Sequence, residues 1–390
     1  MTDVVDAAHR WLAADPDERT RAELERTLRR AAEGDEGARA ELADAFSGPL
    51  EFGTAGLRGR MGPGPRRMNS VVVAQAAAGL GRYLLEHGGG AVVVGYDARH
   101  DSDLFARVTA EVLTGMGLSV MVLPEPLPTP VLAFAIRRLG CAAGVMVTAS
   151  HNPPHDNGYK VYLGDGMQIA PPVDSQISAH IAAVAAEGPI ADLPRGTEWT
   201  TLTEDIVEAY LQRATGLIED GVPLHPRIAY TAMHGVGGRV FLRALEDAGF
   251  PEPVVVEQQF APDPDFPTTA FPNPEEPGAM DLGLALAAEQ DCDLLIAHDP
   301  DADRCAIGIP TPEGWRMLSG DEVGWLLAWW IATGDRRLSR ARVFVESIAS
   351  GTMLEGIARS AGIEYAQTLT GFKWIARVPS IMYGYEEALG

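Results

Sequence analysis

The 390-residue sequence predicts an α/β protein made of three similar α/β/α units with mixed sheets, the third incomplete, preceded by N-terminal helices. From Ala91 onward, short β-rich runs alternate with helical patterns, which is typical of an α/β fold. The same order of elements also occurs three times along the chain, and such self-similarity indicates one structural unit used repeatedly. These units are called repeats 1 to 3 below.

Each repeat begins with an apolar strand, continues through a helix, a second strand and a second helix, and reaches a third strand. The predicted strands are 91–100, 119–123, 143–153 and 157–163 in repeat 1, 227–235, 253–258, 293–304 and 305–310 in repeat 2, and 342–351, 364–369 and 382–390 in repeat 3. Repeats 1 and 2 therefore have a fourth strand, whereas repeat 3 reaches Gly390 without one.

Residues 16–46 repeat apolar positions every three to four residues among many charges, so they predict one or two surface helices. We therefore expect a helical segment at 1–48, a first domain at 49–200, a second at 201–318 and a partial third at 319–390. Pro- and Gly-containing stretches around 186–200 and 310–320 predict linkers.

Charge and cysteine content limit the partners and the compartment. A net charge of −23 disfavours nucleic acid and anionic membranes, because both are bound through surplus Lys and Arg. Cys141, Cys292 and Cys305 are widely spaced, which favours reduced core thiols of a cytoplasmic protein. No signal peptide is visible, and the apolar stretch 323–334 is shorter than the about 20 residues that a membrane span needs, so it predicts a buried helix.

The first chemical motif, Thr-Ala-Ser-His-Asn-Pro, places the Ser150 hydroxyl at the end of a buried strand. A serine nucleophile needs a neighbour to take its proton or a partner that already holds the transferred group, and His151 and Lys160 are the nearest candidates. A turn in which Ser150 and Asn152 only cap backbone groups is an equal alternative for the motif alone. An acyl hydrolase is disfavoured, because the Gly-x-Ser-x-Gly elbow is absent.

The second motif places Asp299, Asp301 and Asp303, with Arg304, directly after an apolar strand. Carboxylates alternating along an extended loop converge on one hard cation, Mg²⁺ or Ca²⁺. An EF-hand is excluded, because Arg304 stands where glycine is required and Pro310 where glutamate is required. A phosphatase with an aspartate nucleophile stays a minority alternative.

Glycine-rich segments at other strand ends are weaker candidates. The segment 51–59 surrounds Arg58 with glycines, which let backbone amides approach a phosphate while the guanidinium adds a charged contact. Segments 231–238, 368–375 and 384–390 are either plain loops or ligand contacts.

The serine motif followed by Asp-x-Asp-x-Asp-Arg, in that order and separation, resembles the α-D-phosphohexomutases, the phosphoglucomutase and phosphomannomutase superfamily, over roughly 40–390. The resemblance implies that Ser150 is the phosphoserine and binds Mg²⁺ together with Asp299, Asp301 and Asp303. It also implies that Arg58, Lys160 and Arg304 neutralise the transferred phosphoryl group.

The sugar-binding loop of this family usually contains Gly-Glu-Glu-Ser, and here 384–388 contains Gly-Tyr-Glu-Glu-Ala. This form is similar to the branch that holds phosphoglucomutase-2 and phosphopentomutase. The resemblance implies sugar-phosphate contacts by Thr370, Gly371, Lys373, Glu386 and Glu387. The family's fourth, C-terminal phosphate-binding domain has no counterpart here, so we expect this chain alone to have little mutase activity.

The implied reaction moves phosphate between C1 and C6 of a glucose or mannose phosphate through phosphoserine and a bisphosphate intermediate. It implies Mg²⁺ as cofactor, a hexose 1,6-bisphosphate as activator, small-molecule sugar phosphates as partners, and a monomer or homodimer. His151 and Lys160 both stay open as the group that shuttles the hydroxyl proton. The alternatives are a phosphopentomutase, a phosphatase and a sugar-phosphate-binding relative without catalysis.

Overall fold

The structure is a computed structural model that describes residues 2–218, 222, 225–334 and 343–389. The chain divides into two compact parts, an N-terminal part at 1–206 and a C-terminal part at 207–390. The N-terminal part contains the helical segment and repeat 1, and the C-terminal part contains repeats 2 and 3.

Three helices precede the first sheet: α1 (Thr2–Ala14), α2 (Glu18–Ala32) and α3 (Glu36–Ala45). Asp17 and Asp35 cap α2 and α3 by accepting backbone N–H bonds in the first turn, which satisfies donors that the helix leaves unpaired. Ala8, Leu24 and Leu42 are buried together between the three helices. The helices predicted within 16–46 are confirmed, and α1 lies outside that range.

The first sheet has the strand order β1-β5-β4-β2-β3-β6. Its elements are β1 (Leu57–Arg60), α4 (Ser70–Glu86), β2 (Ala91–Tyr96), α5 (Ser102–Gly115), β3 (Ser119–Val122), α6 (Thr129–Leu139), β4 (Ala143–Val147), β5 (Asp156–Leu163), α7 (Val173–Glu187), a 3₁₀ helix (Ile190–Asp192) and β6 (Thr200–Thr201). The central strands β2 and β4 are nearly all apolar because helices cover the sheet. Side chains of α4, α5 and α7 form one core with the strands.

The second sheet has the order β11-β10-β9-β7-β8, and the third has the order β13-β12-β14. The elements here are α8 (Asp205–Thr215), β7 (Ile228–Thr231), α9 (Gly237–Asp247), β8 (Val254–Val255), α10 (Glu257–Phe260), α11 (Asp281–Glu289), β9 (Leu294–His298), β10 (Cys305–Thr311), β11 (Gly314–Met317), α12 (Gly320–Thr333), β12 (Val343–Ser347), α13 (Met353–Ala361), β13 (Glu364–Thr368), α14 (Phe372–Ile375) and β14 (Ile381–Tyr385).

Each of the three sheets contains the same arrangement of three parallel strands, which confirms the predicted repetition. The order is β4-β2-β3 in repeat 1, β9-β7-β8 in repeat 2 and β14-β12-β13 in repeat 3. In each repeat the first strand lies in the middle and the second and third strands flank it in parallel. The first two sheets are mixed, because β5 and β10 add antiparallel pairs.

The two segments predicted to be linkers carry regular secondary structure. The predicted linker at 310–320 is mostly a hairpin, because β10 pairs antiparallel with β11 up to Thr311 and Gly314. The predicted linker at 186–200 contains the end of α7 and the 3₁₀ helix, and it ends at β6, which pairs with β3 in the first sheet. Both segments therefore carry secondary structure of their own repeats.

The apolar segment at 323–334 is helical, as α12, but the prediction that it is buried is wrong. Gly320, Gly324 and Ala328 are its buried residues, and their spacing of four places the small side chains on one face. The large apolar side chains lie on other faces and are about half exposed, namely Leu326, Leu327, Trp329 and Trp330. No helix among the described residues is long and apolar enough to cross a membrane.

The three cysteines are free, as predicted. Cys141 and Cys292 are buried and Cys305 is partly buried. Burial raises the pKa of Cys141 and of Cys305 to about 11.

Candidate functional site

The predicted site loops occupy the same topological position in all three repeats. Ser150 follows β4, Asp299 follows β9, and Glu386 follows β14, and each of these is the third strand of its repeat. In parallel α/β sheets, ligands bind beyond the carboxyl ends of the strands. The sequence motifs therefore fall where this architecture provides a binding edge.

The serine loop, residues 148–156, holds Ser150 in a strained backbone conformation. Ser150 has a φ of 53°, in the left-handed region that residues with a side chain rarely adopt. Its N–H donates to the Thr148 hydroxyl at 2.9 Å, and its Oγ lies 3.2 Å from Nδ1 of His151. Ser150 is buried to 3% exposure. The structure thus brings His151 into hydrogen-bond reach of the predicted nucleophile.

The glycine-rich segment 51–59 reaches the serine loop through β1. Strand β1 pairs with β5, with Arg58 opposite Gly158, and Arg58 Nη1 donates to Oδ1 of Asn152 at 3.1 Å. Gly56 has a φ of 77°, and a Cβ there would lie 1.9 Å from the carbonyl oxygen of Tyr159. Only glycine allows this approach, which fixes the segment against β5.

Lys160 is buried on β5, opposite Met146 of β4 and therefore close to the carboxyl end of the strand that leads to Ser150. Arg58, Ser150, His151 and Lys160 all belong to the N-terminal part. The sequence-predicted residues of repeat 1 thus gather at one edge of the first sheet.

Sequence reasoning missed Asp97 and Arg99, which follow the central strand β2 and are both buried. The Arg99 guanidinium lies beneath the serine loop and donates to carbonyl oxygens of Ser150 and Asn152, both at 2.6 Å. The sequence signal that could have identified them is Asp-x-Arg at the end of an apolar strand, because charged side chains buried there need polar partners.

The aspartate loop, residues 299–304, is held by hydrogen bonds between its own residues. Asp299 Oδ1 accepts the backbone N–H groups of Asp303 and Arg304, both at 3.2 Å. Asp299 and Asp301 are fully buried and Asp303 is exposed, and one carboxylate oxygen of each lies within 4.8 Å of the other two. Three oxygen donors of like charge, two of them buried, fit a hard divalent cation such as Mg²⁺.

His298, the residue before this loop, adds no compensating positive charge near neutral pH. Burial lowers the pKa of His298 to about 4, and its Nδ1 lies 3.1 Å from the hydroxyl of Tyr230. Arg304 Nη1 lies 3.3 Å from Oε2 of Glu275, a residue that sequence reasoning missed. Burial raises the pKa of Glu275, and Arg304 opposes that rise.

The third predicted site loop, residues 384–389 and named the sugar loop for its predicted role, carries two glutamates in different environments. Glu387 Oε2 accepts from the hydroxyls of Ser347 at 2.5 Å and Ser350 at 3.2 Å. Glu386 accepts the backbone N–H of Gly371, while its Oε2 is buried with no hydrogen-bond partner among the described residues. Burial raises the pKa of Glu386. A buried oxygen of this kind is suited to a ligand donor.

The aspartate and sugar loops touch within the C-terminal part, because the N–H of Cys305 donates to the carbonyl oxygen of Leu389 at 3.0 Å. Besides burial, the charges of Arg304, Glu387 and Asp303 act on the pKa of Glu386, whose carboxylate also accepts the N–H of Gly371, so the structure brings these residues together. Lys373 is half-buried on α14 and Thr370 is exposed just before it. Ser150, the fourth predicted metal ligand, belongs to the N-terminal part.

Three domain models of protein families match the chain. They are described as Phosphoglucomutase/phosphomannomutase, alpha/beta/alpha domain I at residues 49–187, domain II at 208–312 and domain III at 319–390. The matched ranges cover most of the sequence and contain all of the candidate site residues.

Individual proteins give the same picture. A Haemophilus influenzae protein assigned as a probable phosphomannomutase is 46% identical over 328 residues, which is 83% of this chain and 67% of that protein. A Pongo abelii phosphopentomutase is 36% identical over 420 residues, covering 97% of this chain and 66% of that protein. The chain therefore spans about two thirds of the length of these relatives.

A solved structure has the same fold. The crystal structure of a protein from Thermus thermophilus, assigned as a phosphomannomutase, superposes with a TM-score of 0.76 at 31% identity. The match covers 88% of this chain and 75% of that chain.

Proposed function

The chain belongs to the phosphoglucomutase/phosphomannomutase family, and from this premise we propose that it performs the phosphoryl-transfer chemistry of a phosphosugar mutase. The observation that carries the proposal is the shared position of the three loops. Each function lies at an equivalent strand end. Ser150 offers a hydroxyl that can accept a phosphoryl group, Asp299, Asp301 and Asp303 offer a cation site, and Glu386 offers a carboxylate that can accept hydrogen bonds from sugar hydroxyls. A mutase needs these three functions.

In the proposed forward step, a phosphoryl group on Ser150 Oγ passes to a hydroxyl of a sugar monophosphate. The serine O–P bond breaks, a new P–O bond to the sugar forms, the sugar hydroxyl gives up its proton, and the released Ser150 oxygen takes up a proton to become a hydroxyl again. The return step takes the other phosphate of the bisphosphate back to the Ser150 hydroxyl, whose proton must then leave. His151 Nδ1, at 3.2 Å from Ser150 Oγ, is placed to accept it in the return step.

Charge stabilisation is the second requirement, because phosphoryl transfer is catalysed mainly by position and electrostatics. Arg58 reaches the serine loop through Asn152, and Lys160 is buried on the neighbouring strand. Arg304 follows the aspartates directly. When bound to Asp299, Asp301 and Asp303, Mg²⁺ would supply Lewis-acid polarisation of the phosphoryl oxygens.

The substrate is proposed to be a hexose phosphate, with glucose and mannose as the candidates and a hexose 1,6-bisphosphate as activator. The Haemophilus relative favours a hexose, and the Pongo relative, which aligns with 97% of this chain, favours a pentose phosphate as the second candidate. Glu386 is proposed to bind sugar hydroxyls directly. Glu387 is proposed to act indirectly, through its hydrogen bonds with Ser347 and Ser350. Thr370, Gly371 and Lys373 are proposed to contact the sugar phosphate from the adjacent segment.

The test incubates the purified chain with Mg²⁺, hexose 1,6-bisphosphate and, in turn, glucose 1-phosphate, mannose 1-phosphate and ribose 1-phosphate. Phosphorus NMR measures the shifted phosphate ester and free phosphate separately. We expect a small yield of isomerised sugar phosphate, because little mutase activity is predicted for this chain alone, and we expect less free phosphate than isomerised product. Release of free phosphate alone would identify a phosphatase, and binding of sugar phosphates without either product would identify a non-catalytic relative.

A further inference from the structure

We propose that Arg99 is a positioning residue that holds the serine loop in its phosphoryl-accepting conformation; the inference rests on the proposed function of Ser150. Arg99 is 4% exposed and lies in a part of the chain that no sequence motif singled out. Its role follows from what its guanidinium contacts.

A single guanidinium binds four carbonyl oxygens of the serine loop. Nη2 donates to Ser150 and Asn152, both at 2.6 Å, and Nη1 donates to Pro153 at 2.9 Å and Asp156 at 3.2 Å. These carbonyls span the whole turn from the predicted nucleophile to the start of β5. Arg99 therefore fixes the course of the loop rather than one end of it.

The sequence of the loop explains why an external donor is required. Pro153 and Pro154 have no backbone N–H, so the loop has few donors of its own for its carbonyl groups. Asn152 donates to Ala149, and Asp156 donates to Pro153. Buried carbonyls without partners cost free energy, and the planar fork of arginine reaches several acceptors at once, which a lysine ammonium cannot do in the same geometry.

Arg99 is itself held in place from below. Asp97 Oδ2 lies 3.4 Å from Arg99 Nε, and both side chains are 1% exposed. Asp97 Oδ1 accepts the N–H of Arg99 at 3.0 Å and the hydroxyl of Ser102 at 2.6 Å. Asn157 Nδ2 donates to the same hydroxyl at 3.0 Å. Arg99 and these supporting residues, called the clamp, thus connect β2, α5 and β5, the elements around the loop.

The clamp matters for chemistry because the Ser150 backbone is strained. A φ of 53° at a serine persists only when the surroundings enforce it. The bond from Arg99 to the Ser150 carbonyl holds the peptide plane that begins at this residue, and this limits the directions of the Cα–Cβ bond that carries Oγ. In-line phosphoryl transfer depends strongly on such placement.

In repeat 3, other side chains at the end of the central strand also support the functional loop. Ser347 is the last residue of its central strand β12 and Ser350 follows that strand, as Arg99 follows β2, and their hydroxyls hold Glu387 in the loop after the third strand. The loop after the central strand supports the functional loop beside it in both repeats. This recurrence is independent of the contacts of Arg99.

The experiment compares Arg99→Lys and Arg99→Ala with Arg195→Lys, a matched control whose side chain pairs with Glu111 at the surface of the same part. Hydrogen–deuterium exchange measures the amides of 149–157, and phosphate uptake from glucose 1,6-bisphosphate measures Ser150. We expect faster exchange confined to this loop in Arg99→Lys, and an about 100-fold slower uptake at saturating bisphosphate. The half-saturating bisphosphate concentration should change little, because the Arg99 guanidinium is buried and donates to backbone carbonyls of the loop.

Methylguanidine should restore uptake to Arg99→Ala, whereas methylammonium at the same concentration should not. Wild-type exchange and wild-type uptake in Arg99→Lys would overturn the inference, as would slower uptake caused only by a raised half-saturating concentration. If Arg99→Ala does not fold, Arg99→Lys decides the question. If wild-type Ser150 takes up no phosphate, the proposed function fails, and the exchange of the loop in Arg99→Lys still decides whether Arg99 is the clamp.

Discussion

The serine loop and the aspartate loop follow equivalent strands, yet they are stabilised in opposite ways. A buried cation, Arg99, holds the serine loop from inside through four carbonyl oxygens. The aspartate loop is closed by its own Asp299, and it gathers three carboxylates within 4.8 Å. Like charges at that distance repel unless a cation joins them. The protein's own groups therefore hold the first loop, whereas we propose that a bound cation completes the second.

Replacing the acceptor of the first loop should have the largest effect. Ser150→Ala should abolish phosphate uptake from glucose 1,6-bisphosphate and leave the fold intact, because the backbone contacts of Arg99 do not involve the hydroxyl. Labelled bisphosphate measures uptake, and Ser175→Ala, at an exposed serine of the same part, is the control. Full labelling of Ser150→Ala would assign the acceptor to another residue.

Removing one charge from the second loop should have the next largest effect. Asp301→Asn should weaken Mg²⁺ binding and slow phosphoryl transfer by about 1,000-fold, because a neutral amide replaces an anionic ligand of a divalent ion. Transfer rates across a Mg²⁺ titration measure the effect, with the exposed Asp247→Asn as control. Unchanged Mg²⁺ dependence in Asp301→Asn would give the aspartates a structural role only.

Adding Mg²⁺ without substrate should stabilise the two loops against local opening to different extents. At about 100 times its dissociation constant, Mg²⁺ should stabilise the aspartate loop, which holds three of the four predicted ligands, by about 2.7 kcal/mol, and it should protect the serine loop less. Hydrogen–deuterium exchange with and without the ion measures both loops in one sample, and Asp301→Asn is the control that should show no difference. Equal protection of both loops would mean that the serine loop is not complete on its own.

The smallest effect is expected at the support of the sugar loop. Glu387→Gln should raise the half-saturating sugar phosphate concentration by about 10-fold, because the hydroxyls of Ser347 and Ser350 lose a charged acceptor, a contact worth roughly 1.5–3 kcal/mol. Steady-state kinetics measure it, and Glu289→Gln, at an exposed residue, is the control. A larger effect on the maximal rate than on half-saturation would instead place Glu387 at the reacting atoms.

The sequence was sufficient to predict the repeats and the loops that carry charge, because apolar strands ending in polar motifs are local patterns. It could not predict α4, whose run of valines and whose Gly79 and Gly81 are poor helix formers. Packing decides there: a Cβ at Gly79 would lie 2.4 Å from Ile181 Cγ1 of α7, so the glycine permits close contact between the two helices.

The supports of the site were missed for a related reason. Arg99 contacts carbonyls more than 50 residues away, and Ser347 contacts Glu387 across 40 residues, so neither partner is visible in a local pattern. The exposed face of α12 was misjudged because an all-apolar segment does not reveal which side packs. Burial of Gly320, Gly324 and Ala328 shows that the small residues face the protein.

The phosphoserine role of Ser150 is tested most directly by tandem mass spectrometry of peptides from the wild-type chain after incubation with glucose 1,6-bisphosphate and Mg²⁺, followed by a chase with glucose 6-phosphate. We expect one phosphate on Ser150 that requires Mg²⁺ to form and disappears during the chase as sugar bisphosphate appears. A Ser150 peptide that stays unmodified, or a phosphate found on Asp299 or Asp301 instead, would contradict it.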